Sequence, residues 1–312
     1  MPLAEKIQAL YARFGAEKGI TIELHKQLIA VSVRNEAAAA TLFLQGAQLA
    51  EYCRLGEKPL LWLSDHCDYQ AATALRGGVP VCWPWFGDPL RNPLRLQQQL
   101  GESDLPMHGL VREREWQLVA ISQPDSETTW LTLELDFAAE PAWPYPARLQ
   151  LEVCIGPRLE YRFSVTNTGK QAFCYTTALH TYFNLSRLES VEVRGLEGQP
   201  YLDTLDDWQQ HCSVTPLRIN AEVDRVYTSL PGRVEICDQG YNRRIGLQAE
   251  GAPDMVVWNP WIDKSRRLSH FGEQDYQRML CLETACLLDN MICLEPEQSH
   301  CLRLQIDSLP QD

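Results

Sequence analysis

The sequence predicts an all-β protein in which antiparallel strands form a sandwich, preceded by a short N-terminal helix. Apolar and polar residues alternate with a period of two along much of the chain, which is the pattern of strands with one buried face. Short turn signals separate these segments, and none of them is followed by a helical pattern of the kind that connects parallel strands. An antiparallel sandwich accounts for both observations.

The predicted elements follow in chain order. Residues 1–19 place charged and apolar residues at helical spacing and predict the N-terminal helix. Period-two alternation predicts strands at Ile20–Val33, Thr129–Phe137, Arg148–Ile155, Arg158–Asn167 and His300–Asp307. We also expect an apolar strand at Met279–Leu288 and a short helix within His270–Met279. Turn signals lie at Ile155–Arg158, Thr166–Lys170, Leu230–Arg233 and Asp238–Asn242.

The composition is that of one globular domain spanning residues 1–312. Of the 312 residues, 45% are hydrophobic and 22% are charged, with no internal repeat, low-complexity tract or obvious linker. No apolar run is long enough to cross a bilayer, and the N-terminus lacks the apolar core and cleavage site of a signal peptide. We therefore expect a cytoplasmic protein that makes no membrane contact, and we expect a monomer.

Cysteine usage and charge narrow the range of partners. Eleven cysteines are scattered from Cys53 to Cys301 without a C-x-x-C pair, which fits neither a disulfide framework nor a zinc knuckle, so we expect reduced thiols. The formal net charge of −13 argues against nucleic-acid binding, because a phosphate backbone requires a basic face. A small anionic ligand would have to be held by a few local arginines.

The segment LRGGVPVCWPWFGDP, Leu75 to Pro89, contains three glycines and three prolines and is predicted to be a shaped loop. Trp83, Trp85 and Phe86 offer flat apolar faces beside the cation of Arg76. This combination suits a ligand that has both an apolar ring face and an anionic group. It equally suits a rigid loop packed on the core, and the segment alone does not separate the two interpretations.

Two histidines and two acidic residues lie in settings that suggest chemistry. His180 lies in an apolar, aromatic segment, and His108 lies beside a glycine, four residues before Arg112. Glu283 interrupts an apolar strand, where an unpaired carboxylate is costly. A His and a Glu in one cleft would supply a general acid and a general base. A hydrogen-bonded core histidine, and a turn-capping role for Asp224, are the alternative interpretations.

The sequence lacks the motifs of other chemistries. H-x-H, H-x-x-x-H and H-E-x-x-H do not occur, so we predict no metal site. The nucleophile elbow G-x-S-x-G and the phosphate-binding loop G-x-x-x-x-G-K-[ST] are also missing. These absences argue against an activated serine nucleophile and a nucleotide-phosphate site.

Five segments together resemble the aldose 1-epimerase (mutarotase) superfamily, and within it the glucose-6-phosphate 1-epimerase, or hexose-6-phosphate mutarotase, branch. They are ALRGGVPVCWPWFG, MHGLVRERE, TTALHTYFNLS, EVDRVY and CLETA, which follow in the family's order from about Leu75 to Ala285. The resemblance implies the galactose mutarotase-like β-supersandwich. It also implies an isomerase that interconverts the α and β anomers of a hexose 6-phosphate, D-glucose 6-phosphate above all, without a cofactor.

The resemblance implies roles for five residues. In similar proteins the His of the ALHTYF segment is the general acid and the Glu of the LET segment is the general base, which implies His180 and Glu283. The arginines of the LRGG and HGxxR segments bind substrate, which implies Arg76 and Arg112. The Asp of the DRVY segment contacts sugar hydroxyls, which implies Asp224.

Three further positions are expected at the substrate. Several relatives have Gln immediately before the HGxxR segment, where this chain has Met107, so a polar contact from that position is not expected. His108 would line the pocket rather than transfer a proton, and Trp83 would supply an aromatic face for the pyranose.

Three alternative functions remain open, one in the same functional class and two in other classes. One is an aldose 1-epimerase for unphosphorylated hexoses, which would differ mainly in what the arginines bind. A non-catalytic carbohydrate-binding sandwich would not need a buried acid–base pair. A glycoside hydrolase would usually need two carboxylates across the scissile bond, and only Glu283 has a convincingly buried setting.

Overall fold

The computed structural model describes residues 2–101, 104–230 and 232–310, and most of them lie in antiparallel sheets. In this part of the chain the α-helices are α1 (Leu3–Phe14), α2 (Leu94–Gln97) and α3 (Trp261–Ser265). Short 3₁₀ helices occupy Pro89–Arg91, Leu188–Ser190, Asp275–Gln277 and Leu288–Asn290. No described helix has the length and apolar character needed to span a membrane.

The strands are numbered in chain order. The first eleven are β1 (Ile20–His25), β2 (Leu28–Arg34), β3 (Ala38–Phe43), β4 (Gln48–Arg54), β5 (Val81–Cys82), β6 (Gln117–Ser122), β7 (Thr129–Phe137), β8 (Ala147–Ile155), β9 (Leu159–Asn167), β10 (Phe173–Tyr175) and β11 (Thr177–Leu179). The others are β12 (Tyr182–Asn184), β13 (Val191–Arg194), β14 (Pro200–Asp203), β15 (Gln209–Cys212), β16 (Val223–Tyr227), β17 (Val234–Asp238), β18 (Arg243–Glu250), β19 (Asp254–Asn259), β20 (Met279–Cys286), β21 (Ile292–Leu294) and β22 (Ser299–Pro310).

Two eight-stranded sheets dominate the architecture. The site sheet has the strand order β15-β14-β16-β19-β20-β11-β5, with β12 pairing to β20. The back sheet has the order β13-β17-β18-β22-β9-β8-β7-β6, and a four-stranded sheet β1-β2-β3-β4 and the pair β10-β21 complete the fold. The pairings between these strands are antiparallel, so the predicted all-β, antiparallel class is confirmed.

Burial patterns explain which strands were easy to recognise. Strands of the back sheet such as β9 (LEYRFSVTN) alternate between buried and half-buried positions, because one face packs on the core. By contrast, all eight residues of β20 are buried. A strand covered on both faces loses its alternation, which is why Met279–Leu288 is apolar on both sides of Glu283 and Thr284 and does not alternate.

Two local predictions need correction, and a third lies partly outside the described residues. The segment Ile20–Val33 is not one strand but the hairpin β1–β2, whose turn includes Lys26 at φ 54°. Only the 3₁₀ turn Asp275–Gln277 forms within the helix predicted at His270–Met279. The turn signal at Leu230–Arg233 includes Pro231, which lies outside the described residues.

The expectation of reduced thiols fails for one pair. Cys174 on β10 and Cys293 on β21 form a disulfide, with the two Cα atoms 4.0 Å apart. These residues are direct partners in the β10–β21 register, although 119 positions separate them in the sequence. The pairing was therefore invisible in the sequence, because it depends on tertiary strand register. Nine other cysteines are free, and six of them are buried.

Candidate active site

A cavity of about 420 Å³ opens on the site sheet. Its floor comes from the strand segments β11–β12, β16, β19 and β20, and its walls come from the loops around residues 76, 86–92 and 107–112 and from α3. A sugar-sized ligand fits a cavity of this volume. The lining includes seven positions discussed in the sequence analysis, namely Arg76, Met107, His108, Arg112, His180, Asp224 and Glu283.

His180 and Glu283 form a buried pair on the cavity floor. Glu283 lies on β20 and is 1% exposed; His180 follows β11 and is 7% exposed. The His180 Nε2 and Glu283 Oε1 atoms are 3.4 Å apart. The imidazole stacks on Tyr182, with ring centroids 4.6 Å apart and an interplanar angle of 5°, and this contact fixes its plane. The antiparallel register of β11 and β12 against β20 therefore brings together two residues that are 103 positions apart in sequence (283 − 180).

Burial favours the neutral forms of both members of the pair. Desolvation, followed by the neighbouring His108 and the positive charges of Arg112 and Arg76, lowers the pKa of His180 well below 6.5. Desolvation, with a smaller contribution from Asp224, raises the pKa of Glu283 well above 4.5. The neutral carboxylic acid and imidazole hold the same number of protons as a carboxylate–imidazolium pair. The two states are therefore tautomers that differ only in where one proton lies.

His108 packs over this pair as a neutral imidazole. Its ring centroid lies 5.3 Å from that of His180 and 4.9 Å from that of Phe86. Desolvation, with the charges of Arg112 and Arg76, lowers the pKa of His108 to about 3. The Gly87 N–H donates to His108 Nδ1 over 3.3 Å, which assigns the remaining ring proton to Nε2. His108 is thus suited to donate a hydrogen bond and not to exchange protons at neutral pH.

Arg76 and Arg112 reach the cavity from loops whose shape requires glycine. Gly78 has φ +62° and Gly109 has φ +79°, and a Cβ would lie 2.2 Å and 2.0 Å, respectively, from a backbone carbonyl oxygen. The Arg112 Nη2 donates to the Met107 carbonyl over 2.6 Å, whereas its buried Nε has no hydrogen-bond partner in residues 2–101, 104–230 and 232–310. Within the described residues neither arginine forms an ion pair with a carboxylate, so both charges remain available to a ligand.

Asp224 lies on β16 at the opposite side of the cavity. Burial raises its pKa, and the charge of Lys264 opposes this shift. The Lys264 Nζ lies 3.7 Å from Asp224 Oδ2 and 3.0 Å from Glu222 Oε1. Asp224 is thus part of a strand and not a turn cap, and Lys264 favours its ionised, hydrogen-bond-accepting form.

The aromatic wall differs from the prediction. Trp83 is fully buried and packs against Phe137, Trp143 and Tyr175 in the core, so the expectation that it contacts substrate is wrong. Trp83 precedes Pro84 at the end of β5, where its side chain points into the sandwich.

Other aromatic residues take the place of Trp83. The aromatic lining consists of Phe86, Tyr182, Trp208 and Trp258. Trp258 and Lys264, whose Nζ lies 5.8 Å from the Trp258 ring centroid, were both missed by the sequence analysis. Trp258 lies on β19, which is buried along its whole length, so no alternation indicated which of its side chains face the ligand.

One group of side chains in the site has metal-ligand types. Donor atoms of His180, Cys281 and Glu283 lie within 4.8 Å of one another. A metal would require the Cys281 thiolate, but desolvation raises the pKa of this thiol well above 9.0. The prediction of no metal site stays a prediction.

Comparison with known proteins identifies the family of this chain. The family model for aldose 1-epimerase matches residues 30–307. A Cenchrus ciliaris protein named "putative glucose-6-phosphate 1-epimerase" is 31% identical over 282 residues, which is 87% of this chain and 82% of the relative. A protein of the same name from Escherichia coli K12 is 30% identical over 277 residues, 88% of each chain.

Solved structures agree with this result. The crystal structure of a Salmonella typhimurium protein described as a "putative mutarotase (YeaD)" superposes with a TM-score of 0.85, at 27% identity and 95% coverage of each chain. A galactose 1-epimerase from Lactobacillus acidophilus shares the fold, with a TM-score of 0.70, 16% identity and 94% and 98% coverage. The predicted galactose mutarotase-like sandwich is thereby confirmed.

The fold and the family match define a hexose mutarotase, an isomerase that acts at the anomeric carbon. The chain belongs to the aldose 1-epimerase family.

Proposed function

We propose that the protein interconverts the α and β anomers of a hexose 6-phosphate, with D-glucose 6-phosphate as the preferred substrate. The observation that carries this proposal is the charge distribution of the cavity. A buried His–Glu pair lies at the floor, and the guanidinium groups at one wall form no ion pair with a carboxylate in the part of the chain that the structure describes. The names of the relatives from Cenchrus ciliaris and Escherichia coli point to the same substrate.

The proposed chemistry needs only the protein's own side chains. Glu283 accepts the proton of the C1 hydroxyl while His180 donates a proton to the ring oxygen, and the C1–O5 bond breaks to give the open-chain aldehyde. Rotation about C1–C2 presents the other face of the carbonyl, and reclosure with the proton transfers reversed gives the other anomer. The C1 hydroxyl and the ring oxygen are bonded to the same carbon. Two groups separated by 3.4 Å are therefore well placed to serve both atoms.

A bound phosphate would also favour the proton distribution that this mechanism uses. The positive charges of Arg112 and Arg76 contribute to the lowered pKa of His180. A phosphate dianion held by these arginines would offset their charge and raise the proton affinity of the imidazole. The imidazolium–carboxylate tautomer would then become more accessible when the phosphorylated substrate is bound than when the sugar is neutral.

The remaining contacts would orient the pyranose. Asp224, whose ionised form Lys264 favours against the effect of burial, would accept hydrogen bonds from sugar hydroxyls, and the Nε2–H of His108 would donate one. Trp258 and Phe86 would cover the apolar face of the ring.

The test is to follow anomerisation of freshly dissolved α-glucose 6-phosphate, α-glucose and α-galactose, with spontaneous anomerisation subtracted. For R76A and R112A we expect kcat/KM for glucose 6-phosphate to fall by about tenfold to a hundredfold, mainly through KM, because a guanidinium–phosphate contact contributes roughly 1.5–3 kcal/mol. Activity on glucose should change much less. The matched control is R114A, which removes an exposed arginine paired with Glu140, outside this cavity.

Two results would contradict the assignment. Equal proportional losses on both sugars in R76A and R112A would mean that the arginines brace the loops, and the substrate would then be an unphosphorylated hexose. Binding of sugars without any acceleration of anomerisation would favour a carbohydrate-binding sandwich.

We also propose that the protein acts in the cytoplasm as a monomer. Nine free cysteines support a reducing compartment, and the single described disulfide is the feature that opposes it. Light scattering of the purified protein tests the oligomeric state, and thiol labelling of intact and lysed cells tests the compartment.

A further inference from the structure

Arg91 lies at the cavity wall on a segment that was not connected with function in the sequence. It is the last residue of the 3₁₀ helix Pro89–Arg91, its side chain is exposed, and it lines the cavity. Its segment is joined to the segment of Arg112, because the His108 N–H donates to the Gly87 carbonyl over 2.9 Å. The loops that carry Arg91 and Arg112 therefore adjoin, and both arginines line the cavity.

The loop that carries Arg91 is braced from the core. Asn92 is 8% exposed, and its Nδ2 donates to the carbonyls of Phe86 and Asp88, each over 2.9 Å. The Asn92 Oδ1 accepts from the buried Thr176 hydroxyl over 2.5 Å. A guanidinium on such a fixed backbone costs less entropy to position than one on a free loop.

The charges of the cavity are divided between its two sides. Within the described residues, Arg76, Arg91 and Arg112 form no ion pair with a carboxylate, whereas Lys264 lies near both Asp224 and Glu222. An acidic group also lies on the arginine wall, since Asp88 lines the cavity, but its Oδ1 accepts a hydrogen bond from the Leu90 N–H and caps the 3₁₀ helix.

We propose that Arg91 is a third phosphate-contacting residue, which closes around the outer oxygens of the substrate's phosphate and strengthens the preference for a hexose 6-phosphate over the neutral sugar. This inference rests on the proposed function and adds a specificity-determining residue to it. A phosphate dianion has three outer oxygens and several acceptor positions, more than two guanidinium groups satisfy. Arg91 supplies the additional donors at the solvent side of the site.

The experiment compares R91Q with R95Q. Arg95 is an exposed arginine four residues further along, on α2, and it does not line the cavity. Both substitutions change the net charge equally, so long-range attraction of the anionic substrate changes by a similar amount. We expect R91Q to lower kcat/KM for glucose 6-phosphate by about threefold to tenfold, less than loss of a deeper arginine, because an exposed ion pair is partly screened. R95Q should have little effect, and R91K should recover part of the loss.

A second measurement does not depend on turnover. Calorimetric titration with inorganic phosphate should give a Kd that is about threefold to tenfold higher for R91Q than for the wild type, with little change for R95Q. If the wild type fails to anomerise glucose 6-phosphate, the proposed function fails, and the phosphate titration still decides whether Arg91 binds an anion. If R91Q and R95Q behave alike in both measurements, the role of Arg91 is overturned while the proposed function stands.

Discussion

Substitution of Glu283 by Gln separates the cost of burying a carboxyl group from its use in proton transfer. Glu283 is 1% exposed, and its Oε2 has no hydrogen-bond partner among the described residues. Desolvation, and then the charge of Asp224, raises its pKa well above 4.5. A glutamine side chain has nearly the same shape and carries no titratable proton. E283Q therefore removes the ionisation without opening a cavity in β20.

The effect of E283Q on the free energy of unfolding has a defined sign. Between pH 4.5 and the raised pKa of the folded state, the unfolded chain ionises this carboxyl group while the folded chain keeps it protonated. The folded state then binds more protons, so this group's contribution to the free energy of unfolding is fully present below pH 4.5 and is lost as pH rises. The loss is about 1.4 kcal/mol for each pH unit in that window. E283Q lacks the loss and should become progressively more stable relative to the wild type as pH increases.

E283Q should lower the turnover number, although it should raise the stability relative to the wild type as pH increases. Removing a general acid–base group lowers turnover by about 10²- to 10⁴-fold, which corresponds to roughly 2.7–5.4 kcal/mol of transition-state free energy. Polarimetry on α-glucose 6-phosphate gives the turnover number, and urea unfolding at pH 5, 7 and 8 gives the stability. A folded E283Q with near-native turnover would refute the catalytic role. A constant stability difference across this pH range would refute the buried, protonated carboxyl group.

Two further predictions concern His180 and the disulfide. H180N should lower turnover by a similar factor. Because the pKa of His180 is lowered, the contribution of this group to wild-type stability is present above pH 6.5 and is lost as pH falls. Urea unfolding of H180N should lack that loss, and parallel stability–pH curves for H180N and the wild type would contradict this prediction. C174S should lower the free energy of unfolding by about 2–4 kcal/mol under oxidising conditions, because it removes the disulfide to Cys293, whereas C212S, at an exposed free cysteine, should not. Equal free energies of unfolding for C174S and the wild type would mean that Cys174 and Cys293 are unpaired.

Strands with one solvated face could be predicted from the sequence almost to the residue. The strand β7 has the predicted bounds Thr129–Phe137, because its buried and less buried positions alternate. The hairpin β1–β2 was merged into one strand, because its turn at Lys26 and Gln27 contains neither Gly nor Pro and the alternation continues across it. Periodicity thus locates strands better than it locates the turns between them.

The grouping of the candidate site residues in one cavity was implied only by the family resemblance. Sequence settings singled out His180 and Glu283, but the hydrogen-bond registers of the site sheet bring them to 3.4 Å, and no local signal encodes that distance. The aromatic lining of the cavity could not be predicted from the sequence for a related reason. Trp83 and Trp258 both lie in fully buried apolar segments, where the sequence does not indicate which face meets the core and which meets the ligand.

Under the proposed mechanism, the His180–Glu283 pair would let one site serve a reversible reaction. The pair holds one exchangeable proton in either tautomer, and desolvation opposes the charged arrangement relative to the neutral one. Opening the ring from the α anomer and closing it to the β anomer require the two groups to exchange the roles of donor and acceptor. A pair whose tautomers conserve the proton count can do this without exchanging protons with solvent during the cycle. The buried pair therefore suits a site that must return to its starting protonation state after every turnover in either direction.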